Sequence, residues 1–347
     1  MHASSPLASV GLKPPSAQPV GPTPWAPFEE WAVSRSNGPA IHAYFAGDRH
    51  QRKPLVVLVQ GSQCLPLFMI GKRPDGRDRR VSTALYSEFT AAQLERVHVV
   101  WVERRGLQSF GPLPSSEEEG ERLARCTAEH GGVSKRERVA DVAAVAEAFA
   151  EKPFVESIYV VGHSEGAYVA GGVVKQLGHS VKAVGLLSGP GPTQFFDWLV
   201  QARRDNDPQA AVQVFSDMIW LTGASANGAY RGAAIARQLT YSIESTSIDD
   251  LAQSKVPIFV AQGTVDSKAP VESADLFVAE ALRDRDRRIR YLMLPGLDHG
   301  YRDAKSGEDY APQVLDAFLD WALGGAKGRS VVAGFAPMEQ ATARSVE

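Results

Sequence analysis

The chain has 347 residues, 44% hydrophobic and 22% charged, enough apolar material to bury a large core. Lys and Arg number 37 against 40 Asp and Glu, a net charge of −3, so no basic field argues for nucleic acid or an anionic membrane. No apolar run approaches the roughly 18 residues of a membrane span.

Residues 1–27 carry Pro14, Pro15, Pro19, Pro22, Pro24 and Pro27 and no apolar signal core. They read as an extended tail, and the compartment stays open between cytoplasmic and exported after signal removal. Two strands are expected at 28–35 and 40–46, with Ser36-Asn37-Gly38-Pro39 as the turn of a hairpin. The run at 55–59 is continuously apolar, as in a strand buried on both faces. Residues 71–80, rich in Arg, Asp and Gly, read as an exposed loop, and 82–94 as a helix. A strand at 97–102 follows, then a loop over 111–132. Ser134 opens a helix to 150, with Glu137 completing a capping box. Strands are expected at 158–161, 181–187, 256–260 and 289–294, with helices at 167–177, 271–282 and 311–323. Residues 189–254 break this alternation. They hold only helical patterns (Phe195, Trp198, Leu199 and Ala202, then Val212, Phe215, Met218 and Ile219) and read as an inserted cap. Residues 324–347 read as a loosely held tail. Strands alternating with helices predict an α/β fold, a mostly parallel central sheet flanked by helices. Its organisation is a tail (1–27), a core (28–188 and 255–323), a helical cap (189–254) and a second tail (324–347). The two cysteines, Cys64 and Cys126, could pair. Two free thiols are the expectation, because a core of this size needs no staple.

The chemistry centres on Gly162-His163-Ser164-Glu165-Gly166, a G-x-S-x-G between an apolar strand and a small-residue helix. Strand, sharp turn and helix with Ser at the tip is the context of a nucleophile elbow. A serine hydroxyl needs a base, and the base needs an orienting carboxylate. Asp266 lies just beyond the strand at 256–260, and His299 just beyond the strand at 289–294. Asp298 adjoins His299, but neighbours in sequence point poorly at each other. His163 reads as packing, and His42, His98, His130 and His179 as structural.

These motifs resemble the α/β-hydrolase superfamily over roughly residues 28–323. The order Ser164, Asp266, His299 is that family's order, and Glu103-Arg104-Arg105-Gly106 is similar to its acidic-x-Arg-Gly signature, with Glu in place of the commoner Asp. The resemblance implies a Ser-His-Asp triad and an oxyanion hole made by the backbone N–H of Glu165 and of a residue after the 55–59 strand. Gln60-Gly61-Ser62-Gln63 stands where many members have His-Gly, and the donor is Ser62 or Gln63, with Ser62 preferred. The side chain of Glu165 either faces the pocket or pairs with an arginine such as Arg105. Gln63, Phe195, Phe196, Trp198, Met218, Trp220 and Tyr230 either line an acyl pocket or only fasten the cap. The implied activity is hydrolysis of a small or medium carboxylic ester through an acyl-enzyme. Alternatives are a prolyl-aminopeptidase-like peptidase, an acyltransferase or thioesterase, and a non-catalytic binding protein on the same scaffold. No cofactor or metal is implied, the partner is a small ester or amide, and the oligomeric state stays open.

Overall fold

The computed structural model describes residues 14–35, 38–72, 76–124, 133–222, 243, 245–252 and 254–335. A ten-stranded sheet runs through them in the order β1-β2-β3-β7-β4-β9-β10-β11-β12-β13. Its first strands are β1 (Ala17–Pro22), β2 (Glu29–Val33) and β3 (Ile41–Ala46). They pair antiparallel with one another, and β3 also pairs antiparallel with β7 (His98–Val102). From β7 onward every pairing is parallel, through β4 (Lys53–Val59), β9 (Val155–His163), β10 (Val181–Leu187), β11 (Ile258–Gly263), β12 (Ile289–Leu294) and β13 (Arg329–Ala333). The β2–β3 pair is the expected hairpin; Ser36 and Asn37 of its turn lie outside the described residues.

The parallel strands are apolar along their length because helices cover both faces. One face packs against α3 (Lys135–Ala150), α4 (Glu165–Leu177) and α8 (Val271–Ala281), burying Val57, Val160, Val173 and Phe277 in one cluster. The other packs against α9 (Ala311–Leu323), burying Leu58, Val161, Phe259 and Phe318. At about 25 cal/mol per Å² of apolar surface, each buried Phe or Leu contributes on the order of 2 kcal/mol. Ser134 caps α3: its hydroxyl accepts from the Glu137 N–H while Glu137 reaches back to the Ser134 N–H, the expected box.

Five expectations are corrected. Residues 17–22 are a strand of the main sheet rather than tail, with Ala17 and the nearby Trp25 buried. Of residues 71–80, Gly71 and Lys72 end β5 (Phe68–Lys72) and 78–80 open β6 (Asp78–Ser82), which pair antiparallel and form a second sheet with β8 (Gly111–Pro112). The described charged side chains there, Lys72, Arg77, Asp78, Arg79 and Arg80, are all exposed, and that composition resembles a loop. The helix expected at 82–94 shrinks to α1 (Ala91–Arg96), because Thr90 and Gln93 form a capping box there. Part of the loop expected at 111–132 is α2 (Glu117–Ala124), whose three first-turn glutamates complement the helix dipole. Residues 329–333 of the second expected tail are β13.

The segment after β10 is helical where described: α5 (Gln194–Arg204), α6 (Pro208–Thr222) and α7 (Ser247–Ala252). Phe195, Val214 and Leu221 form a small core with Leu199, Met218 and Trp220 packed on it. Val212, Phe215 and Ile219 lie on the exposed side of α6, the reverse of the expected face. The segment is tied to the body by the Tyr168 hydroxyl donating to Asp197 Oδ2 at 2.7 Å and by an Arg204–Glu272 ion pair. Among the described residues no helix is long and apolar enough to cross a membrane.

Candidate active site

Ser164 sits between β9 and α4 with φ 58 and ψ −128, a positive φ that an L side chain adopts only under constraint. The constraint is close packing. A Cβ on Gly162 would lie 2.0 Å from the Gly166 carbonyl oxygen, and one on Gly166 would lie 2.3 Å from that of Val59. The Ser164 N–H donates to Leu187 O at 2.8 Å, which ties the turn to β10.

Two loops at the carboxyl ends of β11 and β12 bring Asp266 and His299 together. Asp266 Oδ2 lies 2.8 Å from His299 Nδ1. Asp266 is buried, and its other oxygen accepts from the N–H groups of Lys268 (2.7 Å) and Ala269 (2.9 Å). Gln262 Nε2 adds a third donor, to Oδ2, at 3.0 Å. These contacts fix the Asp266 carboxylate against Nδ1 of the His299 ring. Asp298 does not approach the ring: its Oδ1 accepts from the N–H groups of Gly300 and Arg302 and shapes the turn.

The loop after β4 lies against Ser164, since a Cβ on Gly61 would sit 3.0 Å from Ser164 Cβ. Ser62 and Gln63 follow it and are exposed. Beneath this loop the sequence expectation changes. Glu165 pairs with Arg104 (2.8 Å) and Arg138 (2.6 Å), all three buried. Arg105 instead holds Asp141 and Glu137. The same guanidiniums donate to the carbonyls of the loop, Arg138 to Gln60 at 2.9 Å and Arg104 to Gly61 at 2.5 Å. Burial, and then the neighbouring Arg104, pushes the pKa of Arg138 down. Glu103 accepts from the Leu67 N–H and the Ser109 hydroxyl, and burial raises its pKa.

His163 does more than pack. Its Nε2 lies 2.8 Å from the carbonyl oxygen of His299, and the two rings are 4.8 Å apart. Reading the sequence missed this contact and the Arg104–Arg138–Glu165 cluster. A signal existed for the second: Lys135, Arg138, Val142, Val145 and Phe149 fall on one helical stripe, so α3 buries charge toward the elbow.

The expected pocket residues divide. Phe195 is 1% exposed and belongs to the core of its own helical segment, so it offers no free surface to an acyl group. Met218 and Trp220 pack on that same core, and Trp198 is 37% exposed with its ring edge-on to Phe195. Gln63 is exposed beside the Gly61 turn. Tyr230 and His130 lie outside the described residues. Cys64 is disulfide-bonded, which corrects the expectation of two free thiols; the sequence holds one other cysteine, Cys126, outside the described residues. Among the described residues no three His, Cys, Asp or Glu side chains group as a metal site.

The sequence signature of the prolyl oligopeptidase family matches residues 116–326, more than half of the chain, from α2 past α9. The chain belongs to the prolyl oligopeptidase family. It is therefore a serine hydrolase of the α/β-hydrolase fold, and the sheet order is consistent with that fold. A search of curated proteins finds no match. Among solved structures, DcsB in complex with its substrate analogue is 15% identical with a TM-score of 0.54, over 86% of this chain and 99% of that one. A puromycin-hydrolysing peptidase from Mycobacterium tuberculosis is 20% identical with a TM-score of 0.52, over 90% of this chain and 42% of that one. The acylaminoacyl peptidase of Pyrococcus horikoshii is 13% identical with a TM-score of 0.51, over 85% and 41%. These likenesses concern the fold. The chain spans less than half the length of the two peptidases, so it aligns with only part of each.

Proposed function

We propose that this member of the prolyl oligopeptidase family hydrolyses a carboxylic ester of small or medium size through Ser164, His299 and Asp266. The observation that carries the reading is the 2.8 Å Asp266–His299 contact, made by a carboxylate whose other oxygen is held by two backbone N–H groups. In this reading His299 Nε2 takes the proton of the Ser164 hydroxyl as the oxygen attacks the substrate carbonyl. Asp266 steadies the imidazolium, and the alcohol leaves with that proton. Water then attacks the acyl-enzyme by the same route. The developing oxyanion is received by the backbone N–H of Glu165, at the positive end of α4, and by that of Ser62 or Gln63. The helices of residues 189–254 act as a cap on the body, with Trp198 and Gln63 as candidate substrate contacts.

Ester cleavage leads for a chemical reason. An alkoxide is a better leaving group than an amine, so a site that acylates from an amide acylates faster from the matching ester. Peptide or aryl-amide cleavage is the second reading, favoured by the family match and by the peptidases among the structural neighbours. The test is turnover of a chain-length series of p-nitrophenyl esters beside proline- and alanine-p-nitroanilides, with Ser164→Ala as control. Ester turnover that vanishes in Ser164→Ala supports the proposal. Comparable turnover of an anilide moves the assignment to a peptidase. Ester turnover that survives in Ser164→Ala removes Ser164 from the mechanism.

A further inference from the structure

We infer that His163 is a positioning residue for His299, gripping the loop that carries the base and fastening it to the strand that carries the nucleophile; this rests on the triad reading above. A carbonyl oxygen only accepts, so the 2.8 Å contact with His299 O makes His163 Nε2 the donor. Nε2 therefore carries a proton.

The grip matters because of where each partner stands. His163 is the last residue of β9, flanked by Gly162 and the strained Ser164, so its backbone cannot shift. His299 sits on a loop beyond β12. The other hydrogen bonds of residues 296–299 run within that loop or to residues 264–266. Leu297 O accepts from Val265, Gly296 N–H donates to Thr264 Oγ1, and Asp298 pairs with Tyr301 and Arg302. These bonds join base to acid. Among the described residues the His163 bond alone joins residues 296–299 to the nucleophile strand. Asp266 sets the rotation of the His299 ring, and His163 sets how far that ring stands from Ser164.

Charge supports the same assignment. The two rings are 4.8 Å apart, and His299 becomes cationic during acyl transfer. A second imidazolium there would oppose that step. Desolvation, and then the charge of His299, lowers the pKa of His163 to about 4, opposed by the hydrogen bond to His299 O and then by Asp266, with the Tyr301 ring 6.4 Å away. His163 thus donates as a neutral ring at neutral pH.

The experiment compares His163→Phe, which keeps a ring and loses the donor, with His163→Gln, whose amide nitrogen stands as many bonds from the backbone as imidazole Nε2. Steady-state kinetics use the best p-nitrophenyl ester of the wild type, with fluorophosphonate labelling and thermal melting on the same samples. Misplacing a reacting group by about 1 Å costs on the order of 100-fold. His163→Phe should therefore lose roughly that factor in kcat with KM little changed, and His163→Gln should recover most of it. Wild-type kcat in the Phe variant overturns the proposal, and so does a folded Gln variant as slow as the Phe variant. Should Phe not fold, long-range proton–nitrogen spectra of the wild type at neutral pH decide. A neutral Nε2–H tautomer at His163 is expected, and an Nδ1–H tautomer or a cation overturns it. A wild type that fails to label, or a Ser164→Ala protein that still turns over, overturns the triad reading itself and is told apart by that control.

Discussion

Replacing Glu165 by Gln should destabilise this protein more than replacing Arg138 by Met, although the first change is nearly isosteric and the second removes a whole guanidinium. The reason is the charge count beneath the elbow. Two buried guanidiniums, those of Arg104 and Arg138, share one carboxylate oxygen of Glu165 at 2.8 and 2.6 Å. Glu165→Gln removes the one carboxylate that both guanidiniums contact and leaves two like charges facing each other out of water. Removing one partner of a buried pair costs about 3–5 kcal/mol, because the remaining charge is uncompensated. Arg138→Met leaves a one-to-one Arg104–Glu165 pair. It also strips a donor from Gln60 O, worth about 1–3 kcal/mol for a buried polar group. The expected gap is about 2 kcal/mol with Glu165→Gln the worse. Urea unfolding of both variants at neutral pH measures it, extrapolated to water with slopes compared to confirm two-state behaviour. An Arg138→Met protein as unstable as Glu165→Gln, or more so, would refute this account of the cluster.

Three further outcomes follow from the geometry. Asp266→Asn should lower kcat by on the order of 10⁴-fold while the protein still melts cooperatively, because an amide donor at Oδ2 favours the wrong His299 tautomer; stopped-flow ester cleavage and a thermal melt check it together. Gly263→Ala would place a Cβ 2.3 Å from Leu297 O and 2.7 Å from Asp298 O. It should cost about 1–3 kcal/mol and slow fluorophosphonate labelling, since the base loop must move away from β11. Asp197, buried on α5, has its pKa raised to about 7 by burial above all. Below pH 4 both folded and unfolded chains hold its proton; between about 4 and 7 only the folded chain does. Stability from this group therefore falls as pH rises through that window, by on the order of 4 kcal/mol. Asp197→Asn should flatten the dependence of melting temperature on pH between 4 and 8, and an unchanged slope would remove Asp197 as its source.

The sheet and the site were legible in the sequence to different depths. Parallel strands buried on both faces announce themselves as apolar runs, so β4, β7, β9, β10, β11 and β12 could be read directly. The elements missed are those whose burial is one-sided or slight. β1 is half proline and glycine, β5 and β6 carry a charged hairpin, and α2 buries no side chain at all. Ser164, Asp266 and His299 could be picked out as candidates because each follows a strand end, where local pattern is enough. The contacts that support them could not. Nothing in G-H-S says that His163 reaches across to His299 O, since that bond spans 136 residues. The arginine for Glu165 was sought at Arg105, one residue late: the register of β7 turns Arg104 inward to the elbow and Arg105 outward to Asp141. On α6 the apolar residues fall on more than one side, so the pattern could not say which face would be covered.

The main sheet ends in two unlike borders. At β1, Pro19 and Pro22 lack N–H groups, and the register shifts between Pro19 and Gly21, so an approaching strand would meet few donors and a kinked line. At β13 the backbone runs Arg329–Ala333 without a proline, Val331 is half exposed, and among the described residues no strand pairs beyond it. Among the described residues, an added strand would therefore meet more backbone donors at β13 than at β1. A proline placed in β13 would make the second border as inhospitable as the first, without touching the chemistry at the other ends of the strands.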